Sequence, residues 1–185
     1  MRRPVDVPRL ERFMEALGRE ADREARVYLT GGATALLYGW RETTLDVDVR
    51  FEPDSDRLLR SIPEIKENLE INLELASPID FIPPLRGWQE RSRFIARHGR
   101  LSFHHFDFDL QALAKIERGH AKDLADVWAM IRLGLVDAAS LDATFLEIEP
   151  NLYRFPALDP ASFRRAVEEV VEQARSVVRD DAPDR

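Results

Sequence analysis

Asp46 and Asp48 stand two residues apart in the alternating run Thr-Leu-Asp-Val-Asp-Val. On a strand that spacing points both carboxylates to one face, where they repel unless a cation lies between them. Mg²⁺ is the natural candidate: it binds through one or two carboxylates plus substrate phosphates, and paired ions can clamp the attacking and leaving oxygens of an in-line phosphoryl displacement. Upstream, Val27, Tyr28 and Leu29 read as a short buried strand, and Gly31 and Gly32 allow positive φ and close approach of a ligand. Residues 33–38 then have the composition of a helix, so the glycine pair forms a phosphate cradle, with the Thr34 hydroxyl near a helix N-terminus whose dipole favours anions. Either half alone is common, since Gly-Gly occurs in ordinary turns and Asp-x-Asp in glycosyltransferases, Ca²⁺ loops and exposed strands. Their order, with strand, helix and strand between, is the informative feature.

The elements that must position these groups follow from periodicity. Residues 8–21 carry Leu10, Phe13, Met14 and Leu17 at helical spacing. Next come a strand at 27–30, a helix at 32–39, a strand at 45–51, and a helix capped near Asp54 or Ser55, with a second helical turn after Pro63. Residues 71–75 alternate as a third strand. Pro78, Pro83 and Pro84 make a loop, and residues 98–108 read as a hairpin turning at Gly99. Residues 109–135 are strongly helical; as one helix they would put Lys115, Arg118, Lys122 and Asp126 on the side opposite Leu113, Leu124, Val127, Trp128 and Ile131, although Gly119 is placed to divide it. Asp159-Pro160 starts a last helix with Phe163, Val167, Val170, Ala174 and Val177 as its apolar stripe, and residues 180–185 read as a frayed tail.

The Gly31-Gly32 turn, its loop and helix, and Asp46-Val47-Asp48 resemble the signature of the DNA polymerase β-type nucleotidyltransferase superfamily. The segment Ala112-Leu113-Ala114-Lys115-Ile116-Glu117-Arg118, with Ala121-Lys122-Asp123-Leu124-Ala125-Asp126 after it, is similar to the Lys…Arg…Lys-Asp…Asp helical motif of AbiEii-type nucleotidyltransferases. These include toxin partners of type IV toxin–antitoxin pairs, many of which carry a larger helical C-terminal region. The layout is similar too to small uncharacterised nucleotidyltransferase-like proteins.

The resemblance covers roughly residues 27–130 and implies an α+β fold of the polymerase β-like type: a small mixed sheet flanked by helices, with a helical C-terminal part. It implies one domain over 1–185, with its core at about 22–135 and a helical extension at about 136–179. The activity implied is transfer of a nucleoside monophosphate from a nucleoside triphosphate to RNA (a tRNA end, for example), protein or a small molecule, with two Mg²⁺ ions or Mn²⁺ in their place, and a cognate antitoxin as partner. It also implies a third carboxylate. Glu74 is the first choice, because Asn72, Glu74 and Ala76 share one face of the third strand; Asp80 is the second. Asp is more usual there in the family than Glu. Lys115, Arg118 and Lys122 would neutralise the β- and γ-phosphates or the leaving pyrophosphate, and Arg41 could do so from the loop before the carboxylates. The ordinary alternative is that such cations are solvated or paired, Lys122 with Asp126 for instance.

Bulk properties narrow the classes. With 185 residues and 44% hydrophobic content, the chain suits a soluble globular protein. It has no cysteine, which excludes disulfides and thiolate metal sites and fits a cytoplasmic setting. His98, His104, His105 and His120 show no zinc spacing. No apolar run approaches the roughly 20 residues a membrane helix needs, and no apolar segment follows the N-terminal Met-Arg-Arg-Pro to make a signal peptide. A net charge of −7 argues against broad nonspecific DNA binding. Against that total, Arg86, Arg91, Arg93, Arg97 and Arg100 surround a single Glu90, with Trp88 and Phe94 interleaved. This patch could receive a triphosphate or an RNA backbone, or simply pair with the excess acids.

Two other classes remain. One is a nucleotidyltransferase-fold binding module with weakened or lost chemistry. The other is a metal-dependent glycosyltransferase using Asp46 and Asp48, which would demand a longer run of strands and helices than this chain offers.

Overall fold

The computed structural model describes residues 3–180; the tail beyond, 181–185, where fraying is expected, lies outside the described residues. The chain forms two compact units, one from residues up to 77 together with 89–107, the other from 78–88 together with the residues from 108 onward.

In the first unit, α1 (Val7–Glu20) starts where the Asp6 carboxylate accepts the Arg9 backbone N–H at 2.9 Å, a side-chain cap for an orphan donor. There follow β1 (Ala25–Thr30), α2 (Gly32–Leu37), β2 (Asp46–Glu52), α3 (Asp56–Asn68), β3 (Asn72–Leu75) and the hairpin β4 (Phe94–His98) and β5 (Leu101–His105). The strands lie in the order β3-β2-β1-β5-β4; β1–β2 and β4–β5 are antiparallel, β1–β5 and β2–β3 parallel. This is the mixed α+β sheet expected from the sequence.

One sheet face is apolar. Val27, Leu29, Val47, Val49, Leu73 and Phe103 join Leu10, Phe13 and Leu17 of α1 and Leu58, Ile62 and Ile65 of α3 in one buried core. Each such fully buried side chain contributes about 1.5–3 kcal/mol. Along β2 the period of two is strict: Val47, Val49 and Phe51 are buried while Asp46, Asp48, Arg50 and Glu52 are half-buried. The core therefore fixes the register that turns both aspartates to the other face. The hairpin is locked onto α1 by two glycines. A Cβ on Gly18 would lie 2.6 Å from the His98 carbonyl oxygen, and one on Gly99, whose φ is +58°, would lie 2.5 Å from that of Gly18.

In the second unit, a 3-10 turn (Pro78–Asp80) packs on α5 (Phe108–Arg118), which also contacts α6 (Ala121–Arg132), α7 (Ala138–Ile148) and α8 (Pro160–Asp180). The short α4 (Trp88–Arg91) falls where the chain passes back to the first unit. Asp137 and Ser140 form a reciprocal capping box on α7. Phe145 of α7 meets Phe163 of α8 edge-on, centroids 5.0 Å apart, and Val167, Val170 and Ala174 continue the buried stripe.

One boundary differs from that expected, and two points the sequence left open are decided. The arginine-rich stretch contains β4, so the hairpin starts at Phe94. Pro63 lies inside a continuous α3, at the loss of one ladder bond. Gly119, at φ +67°, ends α5 with its N–H donating to the Lys115 carbonyl at 3.1 Å, so residues 109–135 make two helices. No helix among the described residues is long and apolar enough to cross a membrane.

Candidate active site

The turn after β1 is shaped by what its two glycines face. Gly31 adopts φ +57°, and a Cβ there would approach Asp48 Oδ2 to 3.1 Å, so the bare backbone lies directly against that carboxylate. Gly32 serves packing instead: a Cβ would fall 1.9 Å from Thr44 Oγ1. Thr44 is itself fixed by an antiparallel bridge to Val5, and its hydroxyl donates to the Asp46 carbonyl at 3.1 Å. Gly32 thus holds the segment that sets the start of β2, while Gly31 faces the chemistry.

On the sheet, Asp46 pairs in register with Asn72 and Asp48 with Glu74. Three acids are consequently brought to one face of two adjacent strands, as the alternation implied. Asn72 donates from Nδ2 to Asp46 Oδ1 at 2.6 Å and to Glu74 Oε1 at 3.2 Å. Two acids that would otherwise repel are bridged by one neutral amide. Asn72 was noted in the sequence only as a face-mate of Glu74; its alternation with Leu73 was the signal that could have found it.

Among the described residues no group of three or more His, Cys, Asp or Glu is placed to hold a metal ion. Asp46 and Asp48, with the exposed Glu74 on the neighbouring strand, nevertheless offer only oxygen donors. That suits a hard cation sharing its ligands with phosphates, the usual habit of Mg²⁺.

The same face continues along the sheet. Thr30 lies opposite Asp48, Tyr28 opposite Arg50, and His104 beside Tyr28. Burial pushes the Tyr28 hydroxyl up against the pull of Arg26, and burial pulls His104 below the usual histidine value.

Thr34, expected to offer its hydroxyl to a phosphate, is fully enclosed. Its Oγ1 lies 3.4 Å from the Leu29 carbonyl oxygen and 3.2 Å from His105 Nδ1. Burial, with smaller contributions from Arg93 and His104, lowers His105 to about 4, so the imidazole is neutral at physiological pH. Arg41 is half-buried just beyond α2, its backbone N–H donating to the Ala35 carbonyl at 3.4 Å.

In the second unit, Lys115 is buried and clasped by two carboxylates, Asp126 at 2.7 Å and Asp123 at 3.2 Å. Arg118 reaches the same Asp123 oxygen at 2.5 Å. Burial alone would raise the Asp123 carboxyl, but Lys115 and Arg118 together outweigh it and hold it below its ordinary value. Lys115 and Arg118, read from the sequence as a row of phosphate-binding cations, thus join α5 to α6 across the Gly119 turn. Asp126 takes Lys115 as partner, leaving Lys122 exposed on α6. Asp80 is exposed at the end of the 3-10 turn.

The profile of the family described as "Nucleotidyltransferase of unknown function (DUF6036)" matches residues 7–175. Among solved structures, the crystal structure of an antigenic nucleotidyltransferase-like protein from Paracoccidioides brasiliensis is similar at 16% identity and a TM-score of 0.47, over 88% of this chain and 95% of that one. No curated protein matches.

Proposed function

Because the chain belongs to the DUF6036 family of nucleotidyltransferases, we propose that it transfers a nucleoside monophosphate from a nucleoside triphosphate to an acceptor hydroxyl, with Mg²⁺ held by Asp46 and Asp48. One observation carries the reading: Asp48 lies against the bare Gly31 backbone on one side and in register with Glu74 on the other.

In this reading the Gly31 turn lets backbone approach the phosphates. Asp46 and Asp48 hold the metal, and Glu74 completes the acidic set, with Asp80 as the alternative. Bound Mg²⁺, one ion or two, would neutralise the phosphates and stabilise charge on the attacking and leaving oxygens. The acceptor oxygen forms a bond to the α-phosphorus as the bond from that phosphorus to the bridging oxygen breaks. Pyrophosphate leaves, and Glu74 accepts the acceptor's proton. The Asn72 amide bridges Asp46 and Glu74 and holds the two carboxylates close. Arg41 is assigned to the outer phosphates from its loop before the carboxylates, and Lys115 ties α5 to α6 through Asp123 and Asp126. A toxin role with a cognate antitoxin in the cytoplasm, and an RNA or protein acceptor, rest on the AbiEii-like sequence of residues 112–126. Growth arrest on expression tests that finer role.

Titration calorimetry with a nucleoside triphosphate, with and without Mg²⁺, tests the site. Binding that needs the cation is expected, since the carboxylates alone repel a triphosphate. Equally tight binding without metal would favour the second reading, a binding module of the same fold. That reading draws on the Asn72 amide, which bridges Asp46 and Glu74.

A further inference from the structure

We propose that the cleft lined by Arg3, Arg9 and Arg12, at the end of the sheet where β2 and β3 begin, is a subsite for a phosphate group carried by the acceptor; this rests on the nucleotide reading above. The cleft lies within the first unit and has a volume of about 710 Å³, room for a nucleotide-sized group and not only for an ion. Arg9 and Arg12 stand one turn apart on α1, Asn68 ends α3, Thr43 precedes β2 and Glu70 precedes β3. Glu70 is two residues before Asn72, whose amide touches Asp46, so the backbone between them spans at most about 7 Å. The cleft thus opens beside the Asp46 end of the acid pair. The triphosphate is assigned to the other end, where Gly31 faces Asp48, which leaves this cleft to the second substrate.

The lining is a built cationic wall. Arg9, whose side chain is 14% exposed, donates to the carbonyls of Pro4 at 3.2 Å and Leu69 at 3.0 Å, docking the N-terminal segment on the end of α3. Two acids line the same cleft, and both are engaged. Asp6 caps α1 through the Arg9 N–H, and one Glu70 oxygen gathers Arg3 at 3.5 Å and Arg9 at 3.6 Å. The exposed Arg12 guanidinium makes no ion pair among the described residues, so three cations line the cleft with two carboxylates. Guanidinium forks match phosphate oxygens two at a time. Glu70 itself is held at φ +52°, where its N–H donates to the Glu67 carbonyl at 3.2 Å and that of Ile71 to Lys66 at 3.1 Å. Such a helix-ending turn favours glycine, so glutamate there is strained. Its pair with Arg3 is exposed and adds little stability. What the strained position does provide is a carboxylate that orients two guanidinia.

The test uses the full chain with Mg²⁺ and a saturating α,β-methylene nucleoside triphosphate, which fills the nucleotide site and cannot be split. Two probes are then titrated: a short single-stranded RNA oligonucleotide and a nucleoside 5′-monophosphate. The variants are the double replacement Arg3→Gln with Arg12→Gln, both exposed, and the single replacement Arg12→Lys, which keeps the charge. The double variant should weaken oligonucleotide binding roughly 10-fold or more and flatten the slope of log affinity against log salt by about 1.4, or about 0.7 for each arginine. Analogue binding should hold, and Arg12→Lys should keep the parent's slope. A monophosphate that binds as well as the oligonucleotide, with the same dependence on the arginines, identifies a single nucleotide as the source of the phosphate; tighter binding of the oligonucleotide identifies a strand. Equal loss for the analogue, no loss for either probe, a loss with the salt slope unchanged, or a parent that binds neither probe would overturn the subsite. If the parent does not bind the analogue, the nucleotide reading falls and the subsite with it; if it binds the analogue and the double variant takes both probes as the parent does, the subsite alone falls.

Discussion

Asn72 Nδ2 lies 2.6 Å from Asp46 Oδ1, a contact made across the paired strands β2 and β3. A neutral amide therefore sits where a charged neighbour would either repel the acid or neutralise it. Replacing Asn72 by Asp should add a further negative charge to Asp46, Asp48 and Glu74. We expect the apo protein to melt lower than the parent, by a loss of about 1 kcal/mol, and Mg²⁺ to raise its melting temperature more than it raises the parent's. Thermal melts over a Mg²⁺ titration measure both effects.

Lys115 is a structural cation in a clasp with Asp123 and Asp126. Truncating it to Ala strands buried carboxylates, which should cost about 3–5 kcal/mol. Lys122, exposed on the same helix pair, should change stability by less than about 0.5 kcal/mol when replaced by Ala. Urea unfolding of the two variants separates them, and similar small losses for both would remove the clasp.

His105 gives stability a defined pH dependence. Its folded value of about 4 lies below the ordinary 6.5, so in that window the unfolded chain binds the extra proton. This contribution is then complete above pH 6.5, falls as the pH drops toward about 4, and levels off below, while His104, also lowered by burial, adds a loss of the same sign. The full loss is about 3 kcal/mol, of which about 2 kcal/mol is gone at pH 5. Asp123, whose value is depressed, contributes stability that is lost only as pH falls below the ordinary carboxyl value of 3.8, outside most of this window. Urea unfolding at pH 7 and pH 5 for the parent and His105→Gln checks the sign: the variant should lose most of the difference.

The parts of the site that were legible in sequence are those set by local period. Asp46 and Asp48 share a face because β2 alternates, and Gly31 announces a turn because few other residues adopt its φ. Glu74 followed from the same alternation on β3. What was not legible depends on partners far along the chain. Thr34 looked like a phosphate ligand until His105, 71 residues away, closed over it. Lys115 looked solvent-facing on a continuous helix; the Gly119 turn folds α6 back so that Asp126 meets it. The strand from Phe94 was hidden because arginines and an exposed Phe94 mask the alternation of an edge strand, where charge is common.

The most direct test of the central claim is transfer of label from an α-labelled nucleoside triphosphate to total RNA or protein in the presence of Mg²⁺, for the parent, Asp46→Asn and Asp48→Asn. Parent activity with label on one acceptor class, and loss of at least about a hundred-fold in both variants with apo melting temperatures equal to or above the parent's, is the predicted result. Undiminished transfer by both variants, or variants that melt far below the parent without metal, would contradict it, because Asp46 and Asp48 would then be dispensable or structural.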